Sequence, residues 1–275
     1  MYASLGIRQN SDHSGELIGT HQKLDRAARW LLMHQIPNAL KHFPSVDEIL
    51  YFEGSRGPDG LKRKSPGRDD PDYFIQPHAN DGKLMKIMDN HRYNLTQALK
   101  AQDTVRASFE AAWLAHAIVD GLTPAHHYPY RRAVDELMCG KDYKKLFGIK
   151  VKGIMRGESL LQAARNNWLY WGAGGIMTKH IAYEYGVAYM IAPIPIKRIV
   201  PKGLRRKDFR DIDFESEFIK TLERVDNLKM YDRFLEDGWT AELITETRNI
   251  LVPEIVRMIA MAWASCIEEA RSNEE

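Results

Sequence analysis

Histidines and carboxylates recur in this sequence at the spacing that places two side chains on one face of a helix. Residues four apart on a helix lie about 5–6 Å apart at their β-carbons, so two such side chains can bind one ion. Neutral imidazole and carboxylate are ligands that zinc accepts. A single pair of this kind is more often an exposed ion pair, so its context decides. Three pairs have this spacing: His21 with Asp25, His116 with Asp120, and His180 with Glu184.

The middle pair lies in the stretch HAIVDGLTPAHH, which carries the strongest signal. The apolar residues around His116 and Asp120 indicate that both are buried, and buried charges persist when they are paired or bound to a metal. Pro124 should end the helix, so that His126 or His127 can fold back toward the same ion. The pattern therefore predicts a metal site here. The alternative is a buried hydrogen-bonded network without metal.

Hydrophobic periodicity predicts that helices position these residues. No alternating run is long enough for a credible sheet, so we expect an all-α protein. A stretch rich in glycine, proline and charged residues predicts one long loop. A basic, proline-rich irregular segment, called the strap, should precede the last helices. The predicted helices cover residues 16–32, 46–52, 83–99, 104–120, 163–190 with a break at 172–175, and much of 214–275; the loop covers 54–80, a polar segment follows 127, and the strap covers 193–210.

Composition narrows the classes of protein. The chain has 275 residues and is 44% hydrophobic, enough for one sizeable core, and we expect a single domain over residues 1–275. A formal charge of +2 gives no global field that would favour nucleic acid or an anionic membrane. The two cysteines, Cys139 and Cys266, are too few for a disulfide framework or a thiolate zinc site.

Targeting signals are not apparent in the sequence. The amino-terminal residues lack the basic start and apolar core of a signal peptide, and no stretch approaches the roughly 18 uninterrupted apolar residues of a membrane span. We therefore expect no transmembrane segment. The expected location is cytoplasmic for the chain as it is written, and secreted if an export signal has been removed from it.

Four segments together resemble one known family. They are H-x3-D-x5-H at 116–126 with its proline at 124, HIAYE at 180–184, GTHQKLDRAARWLL at 19–32, and YFEGSRGPD at 51–59 followed by QPHAND at 76–81. On these segments the sequence resembles the zinc-dependent phospholipase C and single-strand-specific nuclease superfamily, from residue 17 to about residue 190. The resemblance implies a multi-helix bundle of that type with long irregular loops.

The resemblance also implies how two zinc ions would be bound. The implied ligands are Asp59, His78, His116 and Asp120 for one zinc, and His126, His180 and Glu184 for the second. Within the loop, the form Gly-x-x-x-Pro-Asp favours Asp59 as the ligand. Three other aspartates of the loop stay open as alternatives: Asp69, Asp70 and Asp72.

A third zinc in this family uses a histidine matched here by His21 and a bridging aspartate matched by Asp120. It also uses the terminal amine and carbonyl of a tryptophan, whereas this sequence begins Met1-Tyr2. The third site is therefore either empty or completed by Asp25, one helical turn beyond His21.

These ligands lead us to expect a zinc-dependent phosphoesterase that hydrolyses a phosphodiester by a metal-bound hydroxide, with Asp59 orienting or deprotonating the water. The forms GSRGPD and HANDGK favour a phospholipase C-like enzyme of lipid metabolism, whose partner would be a phospholipid and which would contact a membrane peripherally. One alternative is a single-strand nuclease or 3′-nucleotidase acting on nucleic acid. Another is a non-catalytic, zinc-stabilised helical binding module.

Overall fold

Helices form all the regular structure in the described part of the chain, which confirms the predicted all-α class. The structure is a computed structural model and describes residues 19–53, 56–59, 82–137, 155 and 157–272. Its helices are α1 (Thr20–Gln35), α2 (Val46–Tyr51), α3 (Lys83–Lys100), α4 (Thr104–Leu122), α5 (Tyr130–Leu137), α6 (Leu160–Trp171), α7 (Ile176–Ile191), α8 (Phe214–Asn227), α9 (Met230–Asp237), α10 (Ala241–Glu246) and α11 (Val252–Arg271).

Shorter helical turns connect these elements. A 3-10 turn at Pro124–His127 follows α4, and a π-helical turn at Thr247–Leu251 joins α10 to α11. Most predicted helices agree with the structure, because their apolar faces repeat over several turns. The helix α5 lies where the sequence suggested only a polar segment, since four of its eight residues in YRRAVDEL are charged. Most of the predicted loop lies outside the described residues.

The helix α11 forms the centre of the hydrophobic core. It packs against α1, α3, α4 and α8, and its apolar residues Ile255, Ile259 and Trp263 are buried. The indole N–H of Trp263 donates a hydrogen bond of 3.1 Å to the carbonyl of Ala111 in α4. The ring also lies 5.5 Å from that of Phe43. The carboxy-terminal helices therefore form part of the core that supports α1 and α4.

One continuous helix, Ala241–Arg271, is long and apolar enough to cross a membrane by length and composition. However, 78% of its most apolar window is buried inside the protein. The apolar residues of this helix are thus used in packing against other helices of the chain.

The basic strap of residues 193–210 is irregular except for two short turns, Ile196–Ile199 and Arg206–Phe209. Its apolar side chains Ile199, Val200 and Phe209 are buried. Its basic side chains are exposed, as predicted: Lys197, Arg198, Lys202, Arg205, Arg206, Lys207 and Arg210. The strap is therefore anchored in the core while its charges remain in water.

We expect Trp263→Ala to lower the free energy of unfolding by about 3–5 kcal/mol, because it removes a fully buried ring and its hydrogen bond. Urea denaturation measures this change. Trp168→Ala is the matched control, since Trp168 is 69% exposed and its loss should change stability by about 0.5 kcal/mol or less. Equal effects of the two substitutions would contradict the described core.

Candidate metal centre

Helix α4 supplies the central ligand candidates His116 and Asp120 and holds both fully inside the protein. The helix begins where the side chain of Asp103 accepts a hydrogen bond of 2.9 Å from the backbone N–H of Arg106. Its sequence is rich in alanine, the best helix former, and it ends just before Pro124. Local sequence thus fixes the helix that carries the centre.

Gly121 directly follows Asp120 and has no room for a side chain. A β-carbon at this position would lie 2.6 Å from Leu84 of α3 and 3.0 Å from Phe218 of α8. The absence of a side chain lets α4 approach both helices closely. Close packing on two sides therefore fixes the backbone that carries Asp120.

The carboxylate of Asp120 faces three imidazoles. Its Oδ2 lies 3.3 Å from Nε2 of His116, one helical turn earlier. Its Oδ1 lies 3.5 Å from Nε2 of His21, in α1, and 3.8 Å from Nε2 of His126, in the turn after α4. The carboxylate thus faces histidines from α1, from α4 and from the turn after α4.

A second group is formed by His126, His180 and Glu184. Oε1 of Glu184 lies 3.0 Å from Nε2 of His126 and 2.8 Å from Nε2 of His180, and all three residues are buried. Burial opposes ionisation of Glu184, but His180 and His126 together hold the pKa of this carboxyl well below its usual range. The predicted pair of His180 and Glu184 on α7 therefore lies against His126, in the turn after α4.

The structure distinguishes between the two adjacent histidines of that turn. His126 points to Glu184, whereas Nε2 of His127 lies 2.9 Å from the carbonyl oxygen of Gly121. Nδ1 of His127 lies 3.7 Å from the Asp226 carboxylate in α8. His126 is therefore the member of the pair that joins the centre.

Asp59 lies at the edge of the centre, with Oδ1 3.8 Å from Nε2 of His116. It is 8% exposed, which makes it the most exposed of the candidate ligands that the structure describes. The other predicted ligand of the loop, His78, lies outside the described residues, as do the alternative aspartates Asp69, Asp70 and Asp72.

His21 lies on the inner side of the centre, where its ring stacks on that of His116 with centroids 4.1 Å apart. Its Nδ1 makes no hydrogen bond within the described residues. Asp25, one turn further along α1, is also buried, and neither of its oxygens accepts a hydrogen bond from a described residue. The structure therefore brings His21 to Asp120, as the resemblance implies, and places Asp25 behind it.

Sequence reasoning did not identify Glu53 as part of the centre. Its side chain is buried, and its Oε1 lies 3.3 Å from Nδ1 of His116. Glu53 follows α2 and is separated from Asp59 by five residues, in the same YFEGSRGPD segment that carries the resemblance. The sequence offered one signal, an acidic residue that follows the apolar end of α2. This signal did not identify its partner, because His116 lies 63 residues further along the chain.

In the protein without metal, burial and neighbouring charges set the protonation of the histidines. Burial opposes protonation of His116, but Asp120 and Glu53 outweigh it and raise its pKa to about 9. Burial lowers the pKa of His21, and the neighbouring His116 lowers it further. Burial also lowers the pKa of His126. At neutral pH His116 therefore holds a proton in the protein without metal, whereas burial favours the neutral form of His21 and of His126.

These distances fit the ligand shell of a metal ion. Ligand atoms on a tetrahedral zinc, at about 2.0–2.1 Å from the ion, lie roughly 3.3–3.4 Å apart. Within each of two groups the ligand atoms lie within 4.8 Å of one another, and every member is buried. Among the residues that the structure describes, two groups could each hold a metal ion: His21 with His116 and Asp120, and His126 with His180 and Glu184.

Comparison with known proteins gives no match to a family model, to a curated protein or to a solved structure. The residues of the centre themselves are therefore the basis for inferring a function.

We expect metal binding to release about one proton from His116 at pH 7.5, because a ligand imidazole must be neutral and this group titrates at about pH 9 without metal. The affinity for zinc should consequently rise from pH 7 to pH 9. Calorimetric titration with zinc in buffers of different ionisation enthalpy counts the released protons. An affinity that stays constant over this range, with no proton release, would contradict the role of His116 as a ligand.

Proposed function

We propose that this chain is a zinc-dependent phosphoesterase that hydrolyses a phosphodiester, with a phospholipid as the favoured substrate. The observation that carries the proposal is the position of Asp120, whose two oxygens face histidines of both groups. Two ions held in this way would lie side by side. Paired metal ions of this kind are typical of enzymes that transfer or hydrolyse phosphoryl groups.

The residues of the two groups would hold the metal ions. Zinc, when bound, supplies Lewis acidity that lowers the pKa of a water molecule and neutralises charge on a phosphoryl group. The side chains of Asp120 and Glu184 supply negative charge to the ions, and the histidines supply neutral nitrogen ligands. Burial keeps these ligands out of water, so a bound cation would be held strongly in this low-dielectric surrounding.

Asp59 is the candidate for proton transfer in this reaction. As the most exposed ligand candidate, it lies where the substrate and the attacking water would reach the centre. Its carboxylate can accept a proton from that water, or hold the water for attack on phosphorus. The displaced alcohol would leave on the side opposite to the attacking oxygen.

An apolar surface beside the centre favours a lipid substrate over a nucleotide. The outer face of α6 exposes two leucines and two tryptophans to solvent: Leu160, Leu161, Trp168 and Trp171. The helix packs against α7, which carries His180 and Glu184. Exposed leucine and tryptophan are the residues by which peripheral proteins enter the membrane interface.

The same exposed tryptophans support a nuclease as the second candidate. Indole rings on a surface can stack on the bases of a single strand. Of the five aromatic residues near the ligand segments, Trp168 and Trp171 are exposed, whereas Tyr130 and Tyr170 are buried and Tyr128 is half-buried. The choice between substrates therefore depends on activity rather than on aromatic content.

The substitution His126→Ala should remove at least one bound metal and abolish hydrolysis, because His126 contacts Glu184 and faces Asp120. The neighbouring variant His127→Ala is the matched control and should retain the metal content, since its ring points to Gly121. Metal analysis of each purified protein, together with turnover of a phosphatidylcholine analogue, single-stranded DNA and a 3′-nucleotide, tests both statements.

Each outcome of this comparison has a consequence. Hydrolysis of the phosphatidylcholine analogue alone would support the phospholipase proposal, and hydrolysis of nucleic acid alone would replace it with the nuclease. Stoichiometric metal without cleavage of any phosphoester would instead favour a zinc-stabilised binding module. Absence of transition metal from the unmutated protein, purified without chelator, would remove the basis of the proposal.

Asp59→Asn should lower kcat by about 10²-fold or more, because an amide cannot accept the proton of the attacking water. Metal content is measured in the same preparation, since Asp59 is also a candidate ligand. Full turnover by a variant that still holds its zinc would contradict the role of Asp59 in proton transfer.

A further inference from the structure

The imidazole of His116 is contacted at both of its nitrogen atoms by buried carboxylates. Nε2 faces the centre, 3.3 Å from Asp120 and 3.8 Å from Asp59. Nδ1 faces the opposite way, 3.3 Å from Oε1 of Glu53. An imidazole that binds a metal through one nitrogen carries a hydrogen on the other, and that N–H needs an acceptor when it is buried.

We propose that Glu53 is a positioning residue of the metal centre: it accepts a hydrogen bond from Nδ1 of His116 and thereby directs Nε2 of this ring toward Asp120 and Asp59. The inference rests on the proposed metal-dependent function and concerns a residue outside the two ligand groups. Glu53 lies behind the ring, on the side away from Asp120, so it acts through His116 and not on the substrate.

The surroundings of His116 explain why an acceptor is needed there. Its ring stacks on that of His21 with an interplanar angle of 20°. A half-turn about the Cβ–Cγ bond would keep this stack while exchanging Nε2 with Cε1, so stacking alone does not fix which ring atom faces Asp120. The neighbouring His21 has no hydrogen bond at Nδ1 from the described residues. Glu53 fixes the orientation of one ring in the stack, and the stacking contact then limits the orientation of the other.

Glu53 also adds negative charge behind the ligands. Together with the buried Asp25 it forms a pair of carboxylates, and burial followed by the proximity of Glu53 raises the pKa of Asp25. A carboxylate behind a ligand imidazole makes that imidazole a stronger donor to a cation. Loss of the contact should therefore weaken metal binding rather than substrate binding.

A graded series of variants tests this proposal. Glu53→Gln keeps the shape and one acceptor oxygen but loses the charge, whereas Glu53→Leu loses both. We expect the affinity for one of two zinc ions, measured by competition with a chelator, to fall by about 10–100-fold in the leucine variant and by less in the glutamine variant. The absorption spectrum of the cobalt-substituted protein should change in both, because it reports the geometry around the ion.

The chain provides a matched control in Glu110, a buried glutamate that also contacts a histidine. Its Oε2 lies 2.5 Å from Nδ1 of His91, outside the two ligand groups. Glu110→Gln should leave the zinc affinity and the cobalt spectrum unchanged. Thermal unfolding of all the variants without metal shows whether Glu53→Leu folds, and the glutamine variant remains informative if it does not.

Enzyme activity distinguishes a positioning role of Glu53 from a purely structural role, because the two predict different responses to added zinc. At low free zinc, kcat of Glu53→Gln should be reduced, and raising free zinc 10–100-fold should restore it with KM unchanged. Zinc affinity and cobalt spectrum equal to those of the unmutated protein would overturn the role of Glu53 while leaving the proposed function intact. An unmutated protein that binds no zinc would instead overturn the proposed function itself.

Discussion

The burial of the Asp120 carboxylate is the constraint on which the rest of the structure depends. Removing a carboxylate from water costs several kcal/mol unless other groups compensate the charge. The compensating imidazoles of His21, His116 and His126 come from α1, α4 and the turn after α4. Because α1 is distant in sequence from α4 and its following turn, the fold must bring α1 to α4 before Asp120 can be buried.

Neighbouring helices can come close to α4 because many of its buried side chains are small. Small residues occupy its packed faces, which lets neighbouring helices lie close to it: Ala107, Ala111, Ala112, Ala115, Ala117 and Gly121. The helix α11 fills the other side of the core with larger side chains and contacts both α1 and α4. The packing that stabilises the protein is thus the same packing that fixes the positions of the ligands.

Several carboxylates in and around this centre share the cost of burial. Asp25, Glu53, Asp59, Asp120 and Glu184 are all buried within or next to the group of imidazoles. In the protein without metal, Asp120 and Glu53 raise the pKa of His116. Its protonated ring then offsets part of this negative charge. A divalent cation would offset more of it, so part of the binding free energy of the metal would stabilise the fold.

The sequence by itself determined the helices and the pairs that lie within one helix. His116 with Asp120 and His180 with Glu184 follow from the geometry of a single helix, and long apolar periodicity predicted most of the helices correctly. The helix α5 escaped prediction because it has only eight residues, too few for an apolar face to repeat over several turns.

Tertiary structure alone decided how these local pairs combine. It placed His126, and not His127, against Glu184, turned Asp120 toward three histidines, and placed Glu53 behind a ring 63 residues away. The periodicity of a sequence records which side of a helix is buried, but not which other helix covers it. Contacts between distant segments depend on the packing of the whole core, and for that reason Glu53 became visible only in the folded protein.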